Sequence, residues 1–330
     1  MAVTMAEITK LRHLTSAGLM DCKKALAETN GDIEAAVEIL RKKGQAVAAK
    51  REDRQASEGC VLAANEGNFA AVVALKCETD FVAKNAGFVD LTKEILAAAM
   101  SNKVKSIEEL KALVVNGQTI ADLIVEESGK TGEKMELGAY EYIEAPSVTS
   151  YNHLGNKLAT IVGFNTEGVD YQVGRDVAMQ VASMNPVAVD RDSVPEAVKE
   201  SEYNVAVEKT KEEQVKRAVE VALKKAGINP NLVDSEAHIE SNMAKGWLTQ
   251  KEADKARAIA KETAEAKAAN LPEQMINNIA QGRLNKFFKE SCLMEQEFIK
   301  DANITIGKYL EEAQKGLVVV EFKRVNLNED

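Results

Sequence analysis

The chain has 330 residues and a formal net charge of −10, from 42 basic and 52 acidic side chains. That sign argues against a protein that coats nucleic acid, and no apolar run reaches the roughly 18 residues a membrane helix needs. With 45% hydrophobic but only 5% aromatic residues, helix packing is favoured over a β-sandwich, and the length predicts two or three modules.

The opening MAVTMAEITKLRH has no signal-like apolar core, so a cytoplasmic address is expected. Met5, Ile8 and Leu11 recur at helical spacing behind Thr4, a candidate N-cap. A second helix is predicted from Leu19 to Thr29 with Cys22, Ala25 and Leu26 inward, stopped by Asn30-Gly31. Asp32 caps a third, whose Ile33, Ala36, Val37 and Leu40 form one face and which Gly44 is expected to end. Residues 1–55 therefore read as a three-helix bundle followed by a solvated helical linker, carrying ten basic and eight acidic side chains.

From Gly59 the period becomes two. Val61 and Ala63, then Phe69, Ala71, Val73 and Leu75 around Asn65-Glu66-Gly67-Asn68, predict a β-hairpin. Helices follow near Thr79, over 88–100, 107–114 and 120–127, and a strand over 135–143 completes a first α+β unit, 56–146. A strand over 158–164 and a helix over 171–184 repeat that order in a second unit, 147–193, which 272–330 completes with a last strand over 317–325.

The intervening stretch, 194–271, carries from Glu196 to Asn270 13 basic and 14 acidic residues and two aromatics, Tyr203 and Trp247. It is expected to form paired helices without a globular core. Val198, Val205, Val219 and Ala226 supply a seam, Val215 and Ala222 a companion row, and Ala253, Ala256 and Ala260 the returning face. The fold class is thus α+β: a UBA-like N-terminal bundle, a two-unit core with antiparallel sheets, and an inserted coiled-coil hairpin.

No phosphate-binding loop, nucleophile elbow or H-E-x-x-H pair is present. Cys22, Cys60, Cys77 and Cys292 form no C-x-x-C pair and the three histidines are scattered, so reduced, mostly buried thiols are expected, with no metal, no cofactor and no covalent chemistry. The segment Cys77-Glu78-Thr79-Asp80-Phe81-Val82-Ala83-Lys84-Asn85 admits two readings on pattern alone. In one, Thr79 caps a helix, Asp80 suits its dipole and Phe81 plugs the core. In the other, the ring is exposed for a partner.

Four stretches together resemble the elongation factor Ts family, the nucleotide-exchange factors of elongation factor Tu. Leu11-Arg12-His13-Leu14-Thr15-Ser16-Ala17-Gly18-Leu19-Met20-Asp21-Cys22-Lys23-Lys24-Ala25-Leu26 is similar to L-R-x-x-T-G-A-G-M-M-D-C-K-K-A-L, departing at Ser16 and Leu19. Glu78 to Asn85 is a complete E-T-D-F-V-A-[KR]-N. Tyr151 to Lys157 resembles Y-x-H-x-G-G-R, with Asn156 and Lys157 departing, and Phe287 to Asp301 resembles the stretch after the family's coiled coil.

The resemblance implies an exchange factor whose partner is elongation factor Tu, with no direct nucleic acid and no membrane; a homodimer stays open. Asp80 and Phe81 match the positions that meet the GTPase domain near its Mg²⁺ and phosphate site, with Thr79, Val82, Lys84 and Asn85 completing the motif. Arg12, Leu19, Met20 and His153 match further contact positions. Against these stand plainer roles: helix core for Leu19 and Met20, capping for Lys84 and Asn85, turn formation for His153. A ubiquitin- or peptide-binding role for the N-terminal module, and a thiol-dependent enzyme using Cys22 or Cys77, are the competing functions.

Overall fold

The helical spacing at the start of the chain becomes three helices in the structure, a computed structural model that describes residues 3–15 and 17–329; Ser16 lies outside the described residues. Helices α1 (Met5–Thr15), α2 (Leu19–Glu28) and α3 (Ile33–Ala49) enclose Ile8, Leu11, Cys22, Ala25, Leu26 and Ala36. Thr4 and Glu7 form a reciprocal cap: Thr4 N–H donates to Glu7 Oε2 at 2.8 Å, and Glu7 N–H to Thr4 Oγ1 at 3.3 Å. Asp32 Oδ1 accepts from Ala35 N–H at 3.0 Å.

Strands β1 (Glu58–Glu66) and β2 (Phe69–Cys77) form the expected hairpin, with Val61 opposite Ala74. Then come α4 (Asp80–Ala83), α5 (Ala86–Asn102), α6 (Ile107–Ala112), the small β3–β4 pair (Val114–Val115, Gln118–Thr119), α7 (Ile120–Thr131) and β5 (Met135–Glu144). β5 pairs antiparallel with β2, giving the order β1-β2-β5. Both faces of β2 are buried. Phe69, Ala71, Val73 and Leu75 meet Phe88, Ile95, Leu110 and Ile120 from the helices, whereas Ala70, Val72 and Ala74 meet Val148, Ala159 and Ile161 of a second sheet. That second sheet is β6 (Ser147–Asn152), β7 (Leu158–Phe164) and β10 (Val319–Asn326), in the order β10-β7-β6.

α8 (Tyr171–Met184) covers the second sheet; Gly174 lies so close to Thr149 that a Cβ there would be 2.3 Å from its Oγ1. The β8–β9 pair (Glu297–Phe298, Asp301–Thr305) and α13 (Ile306–Ala313) complete this region. They help enclose the buried carboxylate of Asp176, which accepts from Gln172 Nε2 and Lys300 Nζ, both at 2.6 Å, and from the Tyr309 hydroxyl at 3.1 Å.

One expectation for the N-terminal module needs correcting: α3 does not stop at Gly44, and the solvated helical stretch expected after it begins as its continuation. The helix continues to Ala49 because Gly44 is a packing residue: α3 crosses α7 where a Cβ on Gly129 would lie 2.3 Å from the Gly44 Cα. Arg41 Nη2 also reaches Asp122 Oδ2 at 3.3 Å.

The chain divides into two compact units, Met1–Val189 with Glu297–Asp330, and Asp190–Gln296. The second holds α9 (Glu196–Lys225), a 3-10 turn (Pro230–Leu232), α10 (Glu236–Ala244), α11 (Gln250–Ala269) and α12 (Glu273–Ser291). α12, expected with the second α+β unit, groups here because it packs along α9. The seam also differs: Ala206, Thr210 and Leu223 are the buried residues of α9, while Val205 is exposed. A straight helix drifts against a seven-residue repeat, and α9 meets two partners in succession, α12 and α11. Nor is the stretch coreless. Leu223, Ile228, Val233, Ile239, Leu248, Ala253 and Ala256 form a small core, closed by α10 and the 3-10 turn, with Asn242 Nδ2 donating to Leu232 O at 2.9 Å. Among the described residues no helix is long and apolar enough to cross a membrane.

Candidate partner-binding site

Leaving β2, the chain must turn sharply into helices, and polar contacts on two successive residues hold that turn. Glu78 accepts from Arg51 Nη1 and Arg54 Nη1, each at 3.2 Å, and from Lys134 N–H at 2.7 Å. The Lys134 N–H foremost, then the Arg54 hydrogen bond and the two guanidinium charges, hold its carboxyl below the ordinary carboxylate value. Thr79 is extended and caps α4, its hydroxyl oxygen accepting from Val82 N–H at 3.4 Å. The same hydroxyl donates to Glu133 Oε1 at 2.6 Å, and Thr79 N–H donates to Glu133 Oε2 at 3.0 Å.

On this braced turn Ala83 faces inward, Val82 is half-buried against the first core, and Phe81 is 84% exposed. The ring is not a core plug. Asp80 accepts from Lys84 Nζ at 2.6 Å; that bond and the Lys84 charge, with a smaller effect of Lys157, keep its carboxyl low. Asn85 starts the next helix, its Oδ1 accepting from Gly87 N–H at 2.8 Å. So Thr79 and Asn85 have structural work as caps, whereas Phe81 has none that packing explains.

The third stretch forms the β6–β7 turn. His153 N–H donates to Leu158 O at 2.9 Å, and its Nδ1 lies 3.0 Å from the Tyr151 hydroxyl. Asn156 sits at φ 55°, a left-handed conformation asparagine tolerates, and its carbonyl accepts from Val61 N–H at 2.7 Å. Lys157 Nζ reaches Glu58 Oε2 at 2.7 Å. Both departures from the family pattern are thus accommodated, and Lys157 links this turn electrostatically to Asp80. At the apex Leu154 is 95% exposed, a candidate contact the sequence reading passed over. Its signal was an apolar residue inside a turn of His, Gly and Asn.

The first stretch lies on other elements. Arg12 is exposed on α1; Leu19 and Met20 open α2 at 41% and 60% exposure, so they are not helix core. Leu14, off the buried stripe of Ile8, Leu11 and Thr15, is exposed beside them in sequence and was also missed.

The model of the family described as "Elongation factor TS" matches this chain over residues 78–219 and 205–329. The chain belongs to the elongation factor Ts family. Relatives named elongation factor Ts resemble it along the whole length: one from Phocaeicola vulgatus is 60% identical over 328 residues, 99% of each chain. One from Parabacteroides distasonis is 57% identical over the same share, and one from Porphyromonas gingivalis 47% identical over 331 residues, 100% of each.

Within this family member, the alternative thiol chemistry meets an unfavourable setting. All four cysteines are buried, and burial pushes the Cys77 thiol up to about 12. Among the described residues, no three His, Cys, Asp or Glu side chains gather as a metal site.

Proposed function

We propose that this chain is the guanine-nucleotide exchange factor of elongation factor Tu, acting by binding rather than by covalent chemistry. The observation that carries the reading is the 84% exposure of Phe81 on a helix start fixed by Glu78 and Glu133 contacts. A large ring held in water by a rigid frame is what an interface anchor requires. Entering the GTPase domain near Mg²⁺ and phosphate, it would hold apart elements that must close to retain GDP, with Asp80 beside it. Arg12, Leu19 and Met20 on the N-terminal helices, and His153 on the β6–β7 turn, add contacts away from the nucleotide.

Each 1.36 kcal/mol removed from the release barrier is about a tenfold faster rate. Because coupling between two ligands is reciprocal, bound nucleotide weakens this protein's grip by the same factor, and incoming GTP ejects it. Turnover follows from that symmetry. The test is to mix catalytic amounts of the chain with elongation factor Tu carrying fluorescent GDP. Many equivalents of GDP released per molecule support the reading; release at the spontaneous rate refutes it.

A further inference from the structure

We propose that the N-terminal helices and the Phe81 helix form one rigid two-point gauge for the GTPase partner, with Gly44, Gly129 and Glu78 as its positioning residues. The proposal rests on the exchange-factor reading and adds how its two contact surfaces are held at a fixed spacing.

Leu19 and Met20 belong to α2, which is fixed to α3 through Cys22, Ala25, Leu26 and Ala36. α3 is fixed to α7 at the Gly44–Gly129 crossing, where backbone meets backbone. No side chain stands between the helices there, so no rotamer change can alter their separation. Arg41 and Asp122 add an ion pair across the same two helices at 3.3 Å.

Just past α7, Glu133 holds Thr79 through two hydrogen bonds, and Lys134 N–H holds Glu78. One helix thus braces the N-terminal module with its body and the Phe81 turn with its end. A second tie runs without α7: Arg51 and Arg54, just beyond α3, both close on Glu78, while Lys134 Nζ donates to Glu52 O at 3.0 Å. Two routes therefore connect Met20 to Phe81, both leaving from α3 and both meeting at Glu78 and Lys134, one through the body of α7 and one through Arg51 and Arg54.

A flexible tether would raise only the local concentration of the second contact. A fixed spacing does more. It pre-organises both surfaces for the matching partner conformation, so once Leu19 and Met20 are seated Phe81 is placed with little further ordering cost and the loaded partner is bound more tightly.

The test uses the full chain with spin labels at Lys23→Cys and Lys93→Cys, exposed positions on α2 and α5. The free chain should give one narrow distance distribution. Gly129→Ala, which must push α3 off α7, and Glu78→Gln, which loosens the second tie, should each broaden it. In GDP release both variants should raise KM for the loaded partner about tenfold, the scale of about one lost contact, with kcat little changed. Phe81→Ala should lower kcat instead. Should Gly129→Ala fail to fold, Glu78→Gln carries the comparison. A broad distribution in the unsubstituted chain, or broadened variants with unchanged KM, would overturn the gauge. If the unsubstituted chain releases no GDP, the exchange reading fails, and the distances on the free chain still decide whether the frame is rigid.

Discussion

Glu133 holds Thr79 by both of its polar backbone-proximal groups: Oε1 accepts the hydroxyl at 2.6 Å and Oε2 the backbone N–H at 3.0 Å. The hydroxyl proton is thereby committed outward, leaving a lone pair for Val82 N–H, so the carboxylate orients the cap as well as the turn. Glu133→Ala leaves a half-buried N–H without that partner, at a cost of about 1–3 kcal/mol. Thermal unfolding should register a modest loss, and GDP release a larger one, because the helix carrying Phe81 loses its anchor. Release unaffected at equal folded concentration would show that the anchor is unnecessary.

The Glu78 cluster gives a pH prediction with a definite sign. Its carboxyl is held below the ordinary 4.5, so its contribution to the folded state is fully present above that value and is lost as pH falls through the depressed folded value. Asp80, held below 3.8 by Lys84, shifts in the same sense. Contact between the N-terminal helices and the Phe81 turn should therefore loosen only on the acid side. Hydrogen exchange at residues 51–54 and 78–80, followed from neutral to acid pH, should rise below pH 4.5, and Glu78→Gln should flatten that rise. A transition on the alkaline side instead would contradict the assignment.

The four thiols should be inert in the folded chain. Cys22, Cys60, Cys77 and Cys292 are buried, and burial pushes Cys77 up to about 12 and Cys292 to about 11. Iodoacetamide at about pH 8, where an ordinary thiol is partly ionised, should modify none of them until denaturant is added. Rapid labelling of Cys77 in the native protein would mean that the hairpin end opens.

The small core between α9 and α11 should melt by itself. Ile239→Ala removes buried volume there and should cost about 2–5 kcal/mol, speeding hydrogen exchange over 223–256 while the β1-β2-β5 sheet stays protected. GDP release should persist. Loss of release with the sheet intact would give this unit a part in exchange.

Much of this arrangement is legible in the residues. Alternation at Val61, Ala63 and Phe69 to Leu75 predicts the hairpin, and Tyr171 to Met184 is bounded correctly by helical spacing. What pattern misses depends on partners remote in sequence. Gly44 looks like a helix stop until Gly129 is seen against it. Ala70, Val72 and Ala74 look like a mild outer face until the second sheet covers them. Ile228, Val233, Ile239 and Leu248 are too sparse along the chain to announce a core, which exists only because α10 folds across the helix ends. Phe81 is ambiguous for the opposite reason: a cap, a first-turn acid and an aromatic suit a plug and an anchor equally, and only its exposure separates them.

The exposure of Phe81 also supplies the sharpest control, because Phe88, in the first turn of α5, is 1% exposed. Truncating Phe88 should cost about 3–5 kcal/mol of stability, whereas an exposed ring away from packing should cost within about 0.5 kcal/mol. The decisive measurement is stopped-flow release of fluorescent GDP from elongation factor Tu by the unsubstituted chain, Phe81→Ala and Phe88→Ala, each at equal folded concentration. The account predicts that Phe81→Ala unfolds at nearly the unsubstituted temperature yet releases GDP about tenfold more slowly or worse, a barrier rise of at least about 1.4 kcal/mol, while Phe88→Ala loses stability and keeps its activity per folded molecule. Unchanged release by a fully folded Phe81→Ala would contradict it.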